Sequence, residues 1–368
     1  MDDQSLLKRL GKAATTAMLF HATYQASIGL AMSAPKTFIR WLCRETPKHM
    51  RAPHFWQTDG IIPRLLAPAA ALYAATTARR LRTPGWTAPI PVICCGNATA
   101  GGSGKTTLAL DLGIRLLAAG HKVAFLTRGY GGNANTVTTV NPAIHTAATV
   151  GDEPLLLASL APTYVAANRA QAARAAIAAG ATILIMDDGL QNPTLNKTVS
   201  LLVVDGASGF GNARIIPAGP LREPITTAAN RCAAAILIGP DETNATARLP
   251  PTLKILTAIL VPASEAAQFA GKKVIAFAGI GRPEKFFATL ETTGAILAAK
   301  LPFPDHHPYT PADLIRIHAL AAQHNAAILT TPKDAARLSP TDRAGITAIG
   351  VSLVWQNPTA RDALLTNL

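Results

Sequence analysis

Gly96-Asn97-Ala98-Thr99-Ala100-Gly101-Gly102-Ser103-Gly104-Lys105-Thr106-Thr107 is the stretch that decides the fold. It follows the apolar run Pro91–Cys95 and opens an Ala/Leu-rich run, Thr106–Ala119, of helical length. A glycine-rich turn between a strand and a helix is the setting of a P-loop. Glycines let the backbone curl until successive N–H groups face phosphate oxygens, and the helix N-terminus adds its positive dipole end. Lys105 is placed to reach the β- and γ-phosphates of a nucleoside triphosphate, and the Thr106 hydroxyl to ligate Mg²⁺. The expected nucleotide contacts are Thr99, Ala100, Gly101, Gly102, Ser103, Gly104, Lys105, Thr106 and Thr107. One departure stands out: Thr99 occupies the first glycine of Gly-x-x-x-x-Gly-Lys-Ser/Thr.

Working outward, short β-branched runs alternate with longer helical ones, as βα units do. Strands are expected at Pro91–Cys95, Val123–Leu126, Tyr164–Ala166, Thr182–Met186, Leu201–Val204 and Ala234–Ile238, with helices at Thr106–Ala119 and Arg169–Ala179. The strands lack strict polar alternation, so the fold class is α/β, a P-loop NTPase-type parallel sheet covered by helices on both faces. The run Lys254–Val261 reads as a connection. A second, smaller α/β series follows at Val274–Ala278, Pro283–Thr293, Thr310–His324, Ala327–Thr330 and Ile346–Val354. The expected division is an N-terminal extension over 1–50, a P-loop domain with a membrane-surface helix over 51–252, and a β-linker with a smaller domain over 253–368.

Ile183-Leu184-Ile185-Met186-Asp187-Asp188-Gly189 ends a buried strand in carboxylates, where an acid would support the Mg²⁺ shell. Adjacent residues at a strand end point in different directions, so one of Asp187 and Asp188 suffices for that role. Arg128-Gly129-Tyr130-Gly131-Gly132 follows the second strand and should open on the same sheet edge as the P-loop. It reads as a phosphate or headgroup site or as a plain turn. Gly151-Asp152-Glu153-Pro154 places carboxylates before a helical run, as a cap or as a base facing an acceptor hydroxyl. Asp305-His306-His307 lies between Pro304 and Pro308, a setting that by itself suggests only a surface loop.

The chain has 368 residues, and its 34 Lys and Arg against 21 Asp and Glu give a formal charge of +13. Such a basic surface suits an anionic partner. Low aromatic content argues against a base-stacking nucleic-acid platform, and no obligate protein partner is evident. Cys43, Cys94, Cys95 and Cys232 show no metal-ligand spacing, which fits a reducing compartment. Ala13–Ala34 carries no formal charge, but His21, Gln25 and several Thr and Ser residues dilute it, and it is not expected to span a bilayer. The stretch Ile61–Ala78 ends in Arg79-Arg80-Leu81-Arg82 and follows Trp41, Phe55 and Trp56. It reads either as an interfacial helix on an anionic bilayer or as a core helix with a solvated basic end.

Together these segments resemble the tetraacyldisaccharide 4′-kinases, which phosphorylate a lipid A precursor at the cytoplasmic membrane surface. The pieces already quoted match in order. So do Arg51-Ala52-Pro53-His54-Phe55-Trp56, Pro217-Ala218-Gly219-Pro220-Leu221-Arg222-Glu223-Pro224, Phe303-Pro304-Asp305-His306-His307 and Thr331-Pro332-Lys333-Asp334-Ala335. Thr99 in the P-loop is a habit of that family. The resemblance implies ATP and Mg²⁺ as cofactors, with Thr106, Asp187 and Asp188 at the metal. Asp152 would be the catalytic base, oriented by His306. Asn97, Arg128, Gly129, Arg169 and Gln191 would contact an acylated disaccharide phosphate. It implies a smaller domain that closes over the nucleotide, and a location on the cytoplasmic face of the bacterial inner membrane. Asn192 stands where the family usually has histidine. Residues 1–50 precede the family's usual start, and a membrane-contact helix, a partner-binding extension and a misassigned start all remain open for them. A rival reading is a membrane-associated P-loop switch ATPase acting on a protein, but Ala100 occupies the position of that class's signature lysine.

Overall fold

The computed structural model describes residues 52–133 and 136–366; Ala13–Ala34, Trp41 and Cys43 lie outside the described residues. The described residues open with a 3₁₀ turn, His54–Gln57, and helices α1 (Ile61–Leu65) and α2 (Ala67–Leu81). The first lobe continues β1 (Val92–Gly96), α3 (Lys105–Ala118), β2 (Val123–Thr127), β3 (Thr138–Thr139), α4 (Ala147–Val150), α5 (Asp152–Ala158), β4 (Thr163–Val165), α6 (Arg169–Ala178), β5 (Ile183–Asp187), β6 (Val199–Asp205), α7 (Ile225–Ala229) and β7 (Ala234–Ile238). Then come β8 (Lys254–Pro262), β9 (Lys273–Ala278), α8 (Pro283–Thr292), β10 (Ile296–Pro302), α9 (Pro311–His324), β11 (Ala327–Thr330), α10 (Pro332–Ala335), β12 (Ile346–Ala348), β13 (Val351–Trp355) and α11 (Pro358–Leu365).

The strands form a nine-stranded sheet in the order β13-β8-β7-β6-β1-β5-β2-β4-β3 and a four-stranded sheet in the order β10-β9-β11-β12. The large sheet is parallel except where β13 joins β8 and β3 joins β4. From β1 the chain winds outward to β2 and β4, returns to β5, then crosses β1 to reach β6 and β7. The loop after β1 therefore sits where the winding reverses, and a crevice opens there beyond the carboxyl ends of parallel strands.

Period-two alternation explains why these strands read as unbroken apolar runs. Val92 and Cys94 of β1 pack in one core with Leu184 and Met186 of β5, beneath the alanines of α6. Ile93 and Cys95 pack in the opposite core with Ile183, Ile185 and the α3 residues Leu108, Leu112 and Leu116. Both faces are covered, so neither parity can be polar. The smaller sheet is likewise covered on both faces, by Phe286, Phe287 and Leu290 of α8 and by Leu314 and Ile317 of α9.

The run expected as a connection, Lys254–Val261, is instead strand β8, hydrogen-bonded between β7 and β13. The single strand expected over Ile346–Val354 is two, β12 in the small sheet and β13 in the large one. The break falls after Ile349 at Gly350, whose carbonyl accepts from the Ala263 N–H. Strand β10 was not anticipated, because Ile296–Pro302 is rich in alanine rather than β-branched residues.

The segment Ile61–Ala78 is buried along one face only, at Pro63, Ala70 and Thr77. Ile61, Leu65 and Leu72 are 75%, 58% and 68% exposed. The segment is fastened by Trp56, which is fully buried and donates its indole N–H to the Pro217 carbonyl at 3.0 Å. Among the described residues, no helix is long and apolar enough to cross a membrane.

Candidate active site

The loop from Asn97 to Gly104 leaves β1 and is braced from the Pro217–Pro224 segment. The Ala100 N–H donates to the Pro220 carbonyl and the Arg222 N–H to the Ala98 carbonyl, each at 2.7 Å. Thr99 bridges Leu221 and accepts from the Asn97 amide at 3.2 Å. Gly101 and Gly104 have φ of 122° and 87°, a region in which a side chain is strained. A Cβ on Gly104 would also lie 2.6 Å from Ile238 Cδ1, while one on Gly101 or Gly102 would meet only open space. The Lys105 ammonium folds back toward the Gly101 carbonyl, 3.4 Å away. Thr107 follows in the first turn of α3, half-buried.

Strand register carries Asp187 to the same place, since it pairs with Cys95 one residue before β1 ends. Thr106 Oγ1 donates to Asp187 Oδ2 at 2.8 Å. Asp188 adopts φ 55° and turns to Arg222, whose Nη1 donates to its Oδ1 at 2.6 Å. The adjacent carboxylates thus diverge, as expected of consecutive residues at a strand end. Burial, then Glu153, push the Asp187 carboxyl up to about 7, against the pull of Lys105 and the Thr106 hydrogen bond.

These residues fit a polyphosphate and a hard divalent cation. Asp187 Oδ1, Ser103 Oγ and Asn97 Oδ1 are buried without a hydrogen-bond partner among the described residues. Buried polar atoms are rarely left unpaired. A carboxylate oxygen beside a threonine hydroxyl is the oxygen-rich donor set that Mg²⁺ takes.

The second lobe completes the site. Asp152 is the first residue of α5, after Gly151 as N-cap, so it is not itself the cap. Its side chain is 3% exposed, and Oδ2 lies 3.2 Å from His306 Nδ1 and 2.5 Å from Arg337 Nη2. Burial works to raise the Asp152 carboxyl, but the His306 hydrogen bond and the charges of Lys333 and Arg337 outweigh it and hold the group well below its usual range. For His306 burial favours the neutral ring, and the Asp152 hydrogen bond and charge overcome it, so its pKa rises. Beside this pair, Lys333 Nζ meets Glu153 Oε1 at 2.7 Å. The imidazole also leans on Tyr130, ring centroids 6.1 Å apart. The two histidines of the Asp305-His306-His307 loop have different jobs: His307 stacks on Phe303 and bonds Asp313.

The remaining expected residues fall around this centre. Gln191 donates to the Asn97 carbonyl and to Glu223 Oε1, both at 2.8 Å, and accepts from Arg222. Gly129 is a place of close backbone approach, because a Cβ there would lie 2.5 Å from Val165 and 2.7 Å from the Val150 carbonyl. Arg169 is fully buried, with Nη1 on the Ala166 carbonyl. Burial first, then the nearby Arg128 charge, press its guanidinium down to about 10. Asn192 caps its own turn through Thr194, 2.7 Å from that hydroxyl. Sequence reasoning assigned no role to Arg222, Glu223, Lys333 or Arg337. The first three lie inside quoted motifs, but Arg337 lies in none.

Sheet order, loop and carboxylate strand define a P-loop nucleotide-binding fold with a second α/β lobe set against the phosphate site. The chain belongs to the tetraacyldisaccharide-1-P 4′-kinase family, whose model matches residues 62–368. It is 58% identical over 318 residues to the tetraacyldisaccharide 4′-kinase of Gluconacetobacter diazotrophicus, covering 86% of this chain and 97% of that one. Its identity to the Rhodospirillum rubrum protein of the same name is 51% over 324 residues, 87% and 98% of the two chains. Among solved structures, the "apo" form of LpxK from Aquifex aeolicus in complex with ATP superposes with a TM-score of 0.69. That likeness is one of fold, at 23% identity over 83% of this chain and 99% of the other.

Proposed function

We propose that this protein transfers the γ-phosphoryl group of ATP to the 4′-hydroxyl of a tetraacyldisaccharide 1-phosphate, a lipid A precursor, releasing ADP and a proton. The observation that carries this reading is the approach of Asp152 from one lobe to His306 of the other, 3.2 Å apart. Lys105 binds the β- and γ-phosphates, and the backbone N–H groups of Gly101–Thr106 orient them. Thr106 and Asp187 would hold Mg²⁺, which when bound would neutralise phosphate charge, while Asp188 pairs with Arg222 at the next position. Asp152 takes the proton of the acceptor hydroxyl, and His306 fixes the carboxylate and shares the charge. A positioned base contributes typically ~10²–10⁴-fold. Positioning and charge neutralisation supply most of the remainder in phosphoryl transfer. Asn97, Arg128, Gly129, Arg169 and Gln191 shape the acceptor side.

The expected boundary at 252/253 shifts, because β8 and β13 join the large sheet and α11 packs beneath it: the nucleotide lobe takes in 52–262 and 351–365, and the smaller lobe lies between them. The exposed Ile61, Leu65 and Leu72, with the exposed Arg64, Arg79 and Arg82 on the same segment, seat the protein on an anionic membrane, at the cytoplasmic face of the inner membrane. There the acyl chains of the substrate stay in lipid.

Incubation with ATP, Mg²⁺ and the disaccharide 1-phosphate, read by mass spectrometry and phosphorus NMR, tests the reading. The product should gain one phosphate, at the 4′ position, and an analogue lacking that hydroxyl should stay unmodified. ATP hydrolysis with the lipid untouched would overturn it.

A further inference from the structure

We propose that Arg337 is a positioning residue for the Asp152 carboxylate, a rigid fork from the second lobe that fixes the oxygen His306 also engages. The inference rests on the reading of Asp152 as the base. One end of the fork is anchored: Arg337 Nη1 donates to Asp334 Oδ1 at 2.7 Å and to the Gly279 carbonyl at 2.6 Å. Asp334 is itself wholly buried and immobilised, because its Oδ1 accepts from the Tyr309 hydroxyl at 2.8 Å and from the Gly279 N–H at 3.0 Å. Its other oxygen accepts from Thr331 Oγ1 at 2.6 Å. The free end, Nη2, reaches Asp152 Oδ2, with His306 Nδ1 3.4 Å away.

A guanidinium is planar, so fixing Nη1 fixes the direction of Nη2. Arg337 is 6% exposed and Asp152 3%, so water does little to loosen the pair. Lys333 stands four residues earlier and grips Glu153 at 2.7 Å. Neighbouring cations of the second lobe therefore hold neighbouring carboxylates of the first. The charged groups facing Asp152 are His306, Arg337 and Lys333, with Glu153 adjacent and Asp305 acting on His306. Arg337 is thus the link through which placement of the second lobe becomes orientation of the base. A misplaced catalytic group costs about 10²-fold in turnover.

The test uses Arg337→Gln, Arg337→Lys and Asp152→Asn in the full chain. Arg337→Gln should lower kcat about 10²-fold while KM for ATP moves little. Loss of the cation favours a protonated carboxyl, so the low-pH limb of kcat/KM should shift to higher pH. Arg337→Lys keeps the charge but not the fork, and should recover the limb more fully than it recovers kcat. In an Asp152→Asn background, Arg337→Gln should add little further loss. If Arg337→Gln does not fold, Arg337→Lys at unchanged Tm carries the test. A wild-type kcat and pH limb in the folded variant, with Asp152→Asn inactive, would overturn the role of Arg337 alone. Full activity of Asp152→Asn would overturn the base reading beneath it.

Discussion

Thr106 and Asp187 are joined by a 2.8 Å hydrogen bond that ties the first turn of the P-loop helix to the end of the adjoining strand. The bond occupies one carboxylate oxygen and leaves Oδ1 buried without a hydrogen-bond partner among the described residues. A threonine and an aspartate in this relation form a seat for a cation.

Thr106→Val keeps the shape and deletes the donor. Asp187 is then buried with both oxygens unpaired, which costs roughly 1–3 kcal/mol of stability. Urea unfolding should show that loss, and a Mg²⁺ titration of turnover should need a higher concentration for half-maximal rate.

Asp152→Asn removes the base but leaves the P-loop untouched. Turnover should fall by ~10²–10⁴-fold, while the ATP dissociation constant from calorimetry stays within a few-fold. The variant removes one of the two carboxylates that face Arg337 but leaves Asp334 in place, so Tm should fall only modestly.

Asp313 offers a pH-dependent test outside the reaction. It closes a capping box with Thr310 at the start of α9 and accepts from His307 at 3.0 Å. Burial resists its ionisation, but the Thr310 backbone N–H and His307 pull its pKa down to about 2. A carboxyl whose pKa is lowered on folding contributes stability above its unfolded value, lost as pH falls toward the folded one. Asp313→Ala should therefore destabilise at neutral pH and flatten the dependence of Tm on pH between about 4 and 2.

Replacing Ile61, Leu65 and Leu72 together with aspartate should leave ATP affinity unchanged, because these side chains are exposed and far in sequence from the loop. Co-sedimentation with anionic vesicles should drop strongly, since buried apolar area and charge attraction both diminish. Unchanged sedimentation would remove this helical segment from the membrane reading.

Local chemistry made much of this molecule legible. Helix α3 begins at Lys105, one residue from expectation, and β7 falls on Ala234–Ile238 as read. Covered strands announce themselves as apolar runs, and a glycine-rich turn between strand and helix has few other uses. What escaped depends on distance in sequence. Arg337 and Asp152 are 185 residues apart and meet only because the lobes do. His306 sits in a loop whose residues alone suggest only surface; the family resemblance points to it, and φ 57° brings its ring to Asp152. Lys254–Val261 resembled a linker because prolines flank it, yet a strand near a sheet edge tolerates them.

The most direct measurement is transfer of label from γ-labelled ATP to tetraacyldisaccharide 1-phosphate, run side by side with wild-type protein and Lys105→Ala. Label should pass to the lipid with wild type and fall by about 10²-fold or more in the variant, whose β/γ-phosphates lose their cation. An unlabelled lipid with folded wild type, or equal labelling by both proteins, would contradict a kinase built on this loop.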